Sequence, residues 1–224
     1  MKKLACLMLF CAAASAQVAT QANEGYKTKE GRESVAKVLS DPARSERQKP
    51  RDIVAAMAHK PGDVTADIGT GTGFMLPYLS QAVGDKGTVI GEDIQSDFLD
   101  KAKSNAQLHQ LKNVKYVLGT DKDPKLPAET LAAALILDVY HHFDYPEAML
   151  EHVRDSLLSD GRLVIVEYYK RPGSMPGGDP NRSVQHIRLD QDDLIKEVEA
   201  SGFRLVSKGE LVPKSQHIDV FVKK

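Results

Sequence analysis

The stretch Asp67-Ile68-Gly69-Thr70-Gly71-Thr72-Gly73 decides how this chain is read. It follows an apolar run, Val64 to Ile68, with the length and composition of a buried strand, and it precedes Phe74 to Val83, which has helical character. Glycines on alternate positions between a strand and a helix let the backbone take positive φ, turn tightly and lie directly against a ligand. A nucleotide-like ligand at the carboxyl end of a first β-strand accounts for the pattern. The spacing is G-x-G-x-G and departs from the G-x-G-x-x-G of nicotinamide sites, which disfavours a nicotinamide oxidoreductase.

Outward from that turn, strands and helices alternate. Strand candidates are Val64–Ile68, Thr88–Glu92, Val114–Leu118, Ala133–Asp138 and Arg162–Glu167, with helical stretches at Phe74–Val83, Asp97–Leu108 and Tyr145–Leu158 between them. This order predicts an α/β fold, a doubly wound and mostly parallel sheet covered on both faces. The third connection contains Asp123-Pro124-Lys125-Leu126-Pro127, so its helix is expected to be reduced or absent. Upstream, Glu30–Leu39 reads as a short helix, and Pro50 opens another with Ile53, Val54, Met57 and Ala58 on its apolar face. Downstream, Lys170 to Val184 is rich in proline and glycine and reads as a long mobile loop. Asp190–Ala200 then reads as a helix, and Phe203–Gly209 and His217–Val222 as a closing antiparallel pair.

The first residues read differently. Lys2 and Lys3, the apolar run Leu4 to Ala14 and the small-x-small Ala14-Ser15-Ala16 have the form of a secretory signal peptide over residues 1–16, cleaved after Ala16. The mature protein is then expected in the periplasm or secreted, with no stable membrane span. Both cysteines, Cys6 and Cys11, fall inside the segment, so the mature chain is expected to have no disulfide, thiolate metal site or cysteine nucleophile. Residues 17–29 are polar and aperiodic and read as a flexible arm, leaving 30–224 as one domain. With 30 basic against 31 acidic residues, nothing in the charge balance suggests a nucleic-acid partner.

At this point the chain resembles the class I S-adenosylmethionine-dependent methyltransferases. Val64 to Gly73 resembles their first motif, and Val89-Ile90-Gly91-Glu92-Asp93-Ile94 their second-strand motif. Leu135 to Phe143 resembles the fourth-strand motif, Leu157 to Leu163 the approach to strand five, and Ala200-Ser201-Gly202-Phe203 the approach to strand six. The resemblance covers roughly residues 50–222 and implies a Rossmann-like sheet of seven strands ending in an antiparallel hairpin. It implies S-adenosyl-L-methionine as cofactor, held by Asp67, Gly69, Thr70, Gly71, Gly73, Asp93, Ile94, Asp123 and Asp138. Asp67 would receive the cofactor's ammonium group or cap the glycine turn, and Asp93 would accept both ribose hydroxyls. Asp123 would meet the adenine amino group or cap its own turn. The chain departs from the pattern at Glu92, where an apolar residue is usual and which strand alternation points away from Asp93. It departs again at Thr120 in place of an acid, and at Pro124, which removes a backbone N–H.

Methyl transfer from a sulfonium needs positioning above all, and a base only when the acceptor must lose a proton. His141 and His142, at the end of strand four, are candidates for that base or for a packing role, and Tyr140 for acceptor contact. His186 and Arg188 form a second group. His186 is a further catalytic candidate, and Arg188 would hold a substrate carboxylate or phosphate, or start a helix. Residues 44–50 read as a lid or a solvated charged face. No metal is expected, because Asp138, His141, His142 and Asp144 lie on one strand end without regular ligand spacing. The leading reading is methyl transfer to a small-molecule acceptor, at a hydroxyl oxygen if a histidine is the base. The alternative is an exported, non-catalytic binding protein that keeps a nucleoside pocket. Sequence assigns neither the acceptor nor the oligomeric state.

Overall fold

The computed structural model describes residues 17–224, and the segment read as a signal peptide lies outside them. Seven strands form one sheet in the order β3-β2-β1-β4-β5-β7-β6. They are β1 (Val64–Ile68), β2 (Thr88–Asp93), β3 (Val114–Leu118), β4 (Leu131–Leu137), β5 (Leu157–Tyr168), β6 (Phe203–Val212) and β7 (Gln216–Lys223). β1 pairs in parallel with both β2 and β4, and β7 enters antiparallel between β5 and β6. The expected fold class, with its C-terminal hairpin, is the one observed.

Eight helices accompany the sheet among the described residues: α1 (Lys29–Leu39), α2 (Arg44–Gln48), α3 (Pro50–Met57), α4 (Leu76–Val83), α5 (Ser96–Leu108), α6 (Pro146–Ser156), α7 (Arg182–His186) and α8 (Gln191–Ala200). Pro50 and Pro146 sit in first turns, where a missing N–H costs nothing. As its prolines required, the connection from β3 to β4 has no helix. The central strand β4, Leu-Ala-Ala-Ala-Leu-Ile-Leu, is apolar throughout because helices cover both of its faces. One core joins Ile68 and Ile136 to Leu150 and Val153 of α6 and Val198 of α8. The other joins Val89 and Leu135 to Ile53 of α3 and Leu76 and Leu79 of α4. No helix of the described residues is long and apolar enough to cross a membrane.

From β1 the chain winds outward to β3 and then returns to β4 on the other side of β1. The strand order therefore reverses between β1 and β4, and a crevice opens beyond their carboxyl ends. The glycine turn lies at one lip of it and residues 138–142 at the other. The stretch 17–29, expected as a free arm, is docked across this crevice. Val18 N–H donates to the Asp144 carbonyl at 3.2 Å, and the Asn23 amide donates to the His142 carbonyl at 3.0 Å.

Candidate functional site

The glycine turn is built so that no side chain fits in it. Gly69 has φ +68°, and a Cβ there would lie 2.5 Å from Val139 Cγ1. Gly71, at φ +56°, would meet Leu39 of α1 at 3.0 Å. Gly73 serves a different end: a Cβ would meet Leu76 Cδ1 at 2.9 Å and Ala102 of α5 at 3.2 Å, so this glycine lets the turn seat closely on the helices, and it does not line the cavity.

Two adjacent acids at the end of β2 pin the turn from below. Asp93 Oδ2 accepts from Gly71 N–H and its Oδ1 from Gln95 N–H, each at 2.9 Å. Glu92 Oε2 accepts from Gly69 N–H at 3.2 Å, so Glu92 also reaches the turn, contrary to the strand-alternation expectation, because β2 ends here and Gly69 lies within reach of both side chains. Glu92 Oε1 is buried without a partner among the described residues. Burial raises Asp93 to about 6 and, helped by Asp93, raises Glu92 well above its ordinary value. Asp67 is likewise raised to about 6 by burial, against the opposing hydrogen bond that Thr70 Oγ1 donates to it at 2.6 Å.

These groups border a cavity of about 300 Å³, at the lower end of the usual range of about 300–1,000 Å³ for small-ligand sites. Of the residues expected to hold a cofactor, Gly69, Thr70, Gly71, Asp93, Ile94 and Asp138 line it. Asp123 does not. Its carboxylate accepts from Lys125 N–H at 2.7 Å and caps the proline-rich turn, while Asp121 faces the cavity instead. Asp67 packs beneath the turn through Thr70 and is not among the lining residues. Asp138 sits at φ +55° where β4 ends. It accepts from Gln216 Nε2 at 2.6 Å, and burial, then the nearby Glu167, lifts it to about 7.

The roof comes from residues that sequence reading left aside. Tyr26 packs edge-on to Phe98 and to His142, and burial, then Asp93, raises its hydroxyl to about 12. Arg44 of α2 lines the cavity with its guanidinium 4.4 Å from the centre of the Phe74 ring, in keeping with the lid expected over 44–50. Gln48 anchors that helix by donating to Gln216 Oε1 at 3.0 Å. No local pattern marks Tyr26 or Asn23; both matter because the chain returns 116 and 119 residues away in sequence.

The histidines converge. A 3-10 turn, Tyr140–His142, places the His141 and His142 ring centres 4.0 Å apart, and His186 at the end of α7 lies 4.8 and 5.3 Å from them. His141 Nδ1 is 2.7 Å from Glu167 Oε2, and His142 Nδ1 is 2.9 Å from Asn23 Oδ1. Burial, then the neighbouring imidazoles, lowers His142 well below its ordinary value and His186 to about 4. His142 alone of the three lines the cavity.

Tyr140 and Arg188 meet at Glu197 of α8 and do not line the cavity. Tyr140 Oη donates to Glu197 Oε1 at 2.7 Å, and Arg188 forks onto the same carboxylate, with Nη1 to Oε2 at 2.8 Å. Arg188 does bind a carboxylate, but that carboxylate belongs to α8 of the protein itself.

Comparison with known proteins agrees with this geometry. Residues 66–165 match the model of a methyltransferase domain family. A crystal structure of an S-adenosylmethionine-dependent methyltransferase from Aquifex aeolicus superposes with a TM-score of 0.77 at 27% identity, covering 85% of this chain and 98% of that one. In these residues and in its fold the chain is similar to S-adenosylmethionine-dependent methyltransferases. Among curated proteins, the arsenite methyltransferase of Halobacterium salinarum is 40% identical over 65 residues, 29% of this chain and 16% of that protein. The aklanonic acid methyltransferase of a Streptomyces species is 28% identical over 117 residues, 51% of this chain and 52% of that protein. The chain thus spans about half or less of these two relatives. The lining is compatible with such a cofactor: a turn whose glycines leave no room for Cβ atoms, a carboxylate at Asp93 and an apolar side chain at Ile94.

Proposed function

We propose that this protein transfers the methyl group of S-adenosylmethionine to a small-molecule acceptor, at a hydroxyl oxygen. The observation that supports this best is the Cβ-excluding turn facing Asp93 across a roofed cavity at the switch point of the sheet. Bound there, the cofactor would supply a methyl carbon on a sulfonium with a neutral thioether as leaving group, and the proton lost by the acceptor hydroxyl would pass to water.

The chain's own groups position and shield. Asp93 accepts from ribose hydroxyls, exchanging its present backbone donors for them in part, and Ile94 and Phe98 cover apolar surface. Tyr26, Asn23 and Arg44 exclude water from above, which strengthens every polar contact beneath them. His142 faces the acceptor end. Its burial makes it a weak base, so it orients the acceptor as a hydrogen-bond partner and contributes mainly through placement. The signal-peptide pattern of residues 1–16 supports action outside the cytoplasm.

The test is transfer of radiolabelled methyl from S-adenosylmethionine to a panel of phenols, carboxylic acids, thiols, amines and transfer RNA. Labelled methyl ether from a phenol is the expected product. Label only on transfer RNA, or none on any acceptor from a protein that binds the cofactor, would overturn the assignment.

A further inference from the structure

Why three imidazoles meet at one end of this cavity is not explained by cofactor binding. His141 and His142 are adjacent in sequence, yet the 3-10 turn brings both rings to one place, and α7 adds His186 from beyond a long connection. Nitrogen atoms of the three rings lie within 4.8 Å of one another. We propose that His141, His142 and His186 bind a divalent first-row transition-metal ion, zinc in the simplest case, at the acceptor end of the cavity.

Three features carry this. The first is spacing. Zinc–nitrogen bonds of about 2.0–2.1 Å in a tetrahedron separate donor atoms by about 3.3 Å. The present spread, within 4.8 Å, is wider than that, so an ion would draw the rings of the partly exposed His142 and His186 inward. The second is support. Metal-bound histidines commonly direct their other ring nitrogen to a carboxylate or carbonyl oxygen, which fixes tautomer and ring orientation. His141 Nδ1 has Glu167 and His142 Nδ1 has the Asn23 amide oxygen, so each Nε2 is the atom offered to an ion, His142 Nε2 exchanging its 3.4 Å contact with Tyr26 Oη for the metal. The third is openness. Three protein ligands leave a coordination position vacant, the arrangement of reactive and not of structural zinc sites. Tyr26 Oη stands 3.4 Å from His142 Nε2, and both residues line the cavity, so the cluster borders the space an acceptor enters. Packing alone accounts for this poorly, because it brings three polar rings together out of water with one carboxylate among them.

The ion's purpose, holding the acceptor through an oxygen or nitrogen lone pair, rests on the methyltransferase reading; metal binding itself rests on the histidines. Sequence spacing conceals the site because His186 lies 44 residues beyond His142.

The experiment is equilibrium dialysis of metal-stripped protein against zinc, with metal counted by mass spectrometry and the coordination read from the visible bands of the cobalt-substituted form. Binding of S-adenosylhomocysteine is measured on the same samples as an independent sign of folding. One zinc per chain is expected. His186→Ala and His186→Asn should each weaken zinc binding at least 100-fold with S-adenosylhomocysteine affinity kept, and Glu167→Gln should weaken it about 10–100-fold. Substoichiometric zinc on protein that binds S-adenosylhomocysteine, or unchanged zinc affinity in the His186 variants, would overturn the proposal. One zinc per chain without S-adenosylhomocysteine binding would uphold the metal site and count against the methyltransferase reading.

Discussion

Asp93 sits where burial opposes its charge and the backbone N–H groups of Gln95, Gly71 and Ile94 favour it, and burial wins, raising it to about 6. Two opposite pH trends follow. Ligand hydroxyls need the carboxylate, so cofactor affinity should fall by up to about tenfold per unit as pH drops below 6. Folding stability of the ligand-free protein should move the other way. The native state binds more protons than the unfolded chain between the ordinary aspartate value and about 6, so stability falls as pH rises through that window. Asp67 and Asp93 each contribute at most roughly 3 kcal/mol to this change. Thermal unfolding from pH 4 to 7 checks it, and Asp93→Asn should flatten the trend. Gly69→Ala is expected to cost about 1–2 kcal/mol for the left-handed backbone alone, with the contact to Val139 added, and to weaken cofactor binding more than it lowers the melting temperature. At this scale the sequence was legible where backbone geometry dictates the residue, as at Gly69 and Gly71. It was ambiguous where two acids compete. Asp123 matches the family pattern, yet Pro124 shapes a turn that its carboxylate caps, and Asp121 takes the cavity wall.

Among the elements, α8 shows how a functional-looking side chain becomes structural. Glu197 gathers Tyr140 and Arg188, tying the 3-10 turn to the helix that packs on β6. Glu197→Ala should destabilise the fold by about 2 kcal/mol, since it strands two partly buried donors, and should leave S-adenosylhomocysteine affinity unchanged in calorimetry. A fall in affinity with stability intact would instead return Arg188 to the ligand site. The polar stretch before α1 contrasts with α8. Its composition reads as an arm because its partners, Asp144 and His142, lie far along the chain and no periodicity announces them. Asn23→Ala together with Tyr26→Ala should speed cofactor dissociation more than it slows association, because the roof is lost while the turn and Asp93 remain. Stopped-flow measurement separates the two rates. Some strands were legible to the residue, Val64–Ile68 and Val114–Leu118 among them, whereas β5 begins at Leu157, five residues before the expected Arg162, and α2 and α7 were not expected as helices. The connection from 170 to 184 was not legible, because its order comes from isolated hydrogen bonds such as Gly173 N–H to the Pro180 carbonyl at 2.8 Å.

For the molecule as a whole, strand order sets the site. Reversal between β1 and β4 opens one crevice, and the glycine turn, the acid at the end of β2 and the histidines at the end of β4 all face it or border it. A ligand bridging these elements must stabilise the fold they share. At a hundredfold excess over its dissociation constant it contributes about 2.7 kcal/mol, which for a chain of this size raises the melting temperature by about 5–11 °C. Alternation of strands and helices made the topology legible; convergence of side chains from distant segments is a property of the folded object and had to be seen. The central claim is that this crevice binds S-adenosylmethionine through the turn and Asp93. Calorimetric titration of the protein and of its Asp93→Ala and Gly71→Val variants with S-adenosylhomocysteine tests it most directly. Micromolar binding at one site per chain, weakened about 100-fold or more by each substitution, is predicted, in line with the loss of charge-assisted hydrogen bonds worth about 1.5–3 kcal/mol each. No binding by folded wild-type protein, or equal binding by all three, would contradict it.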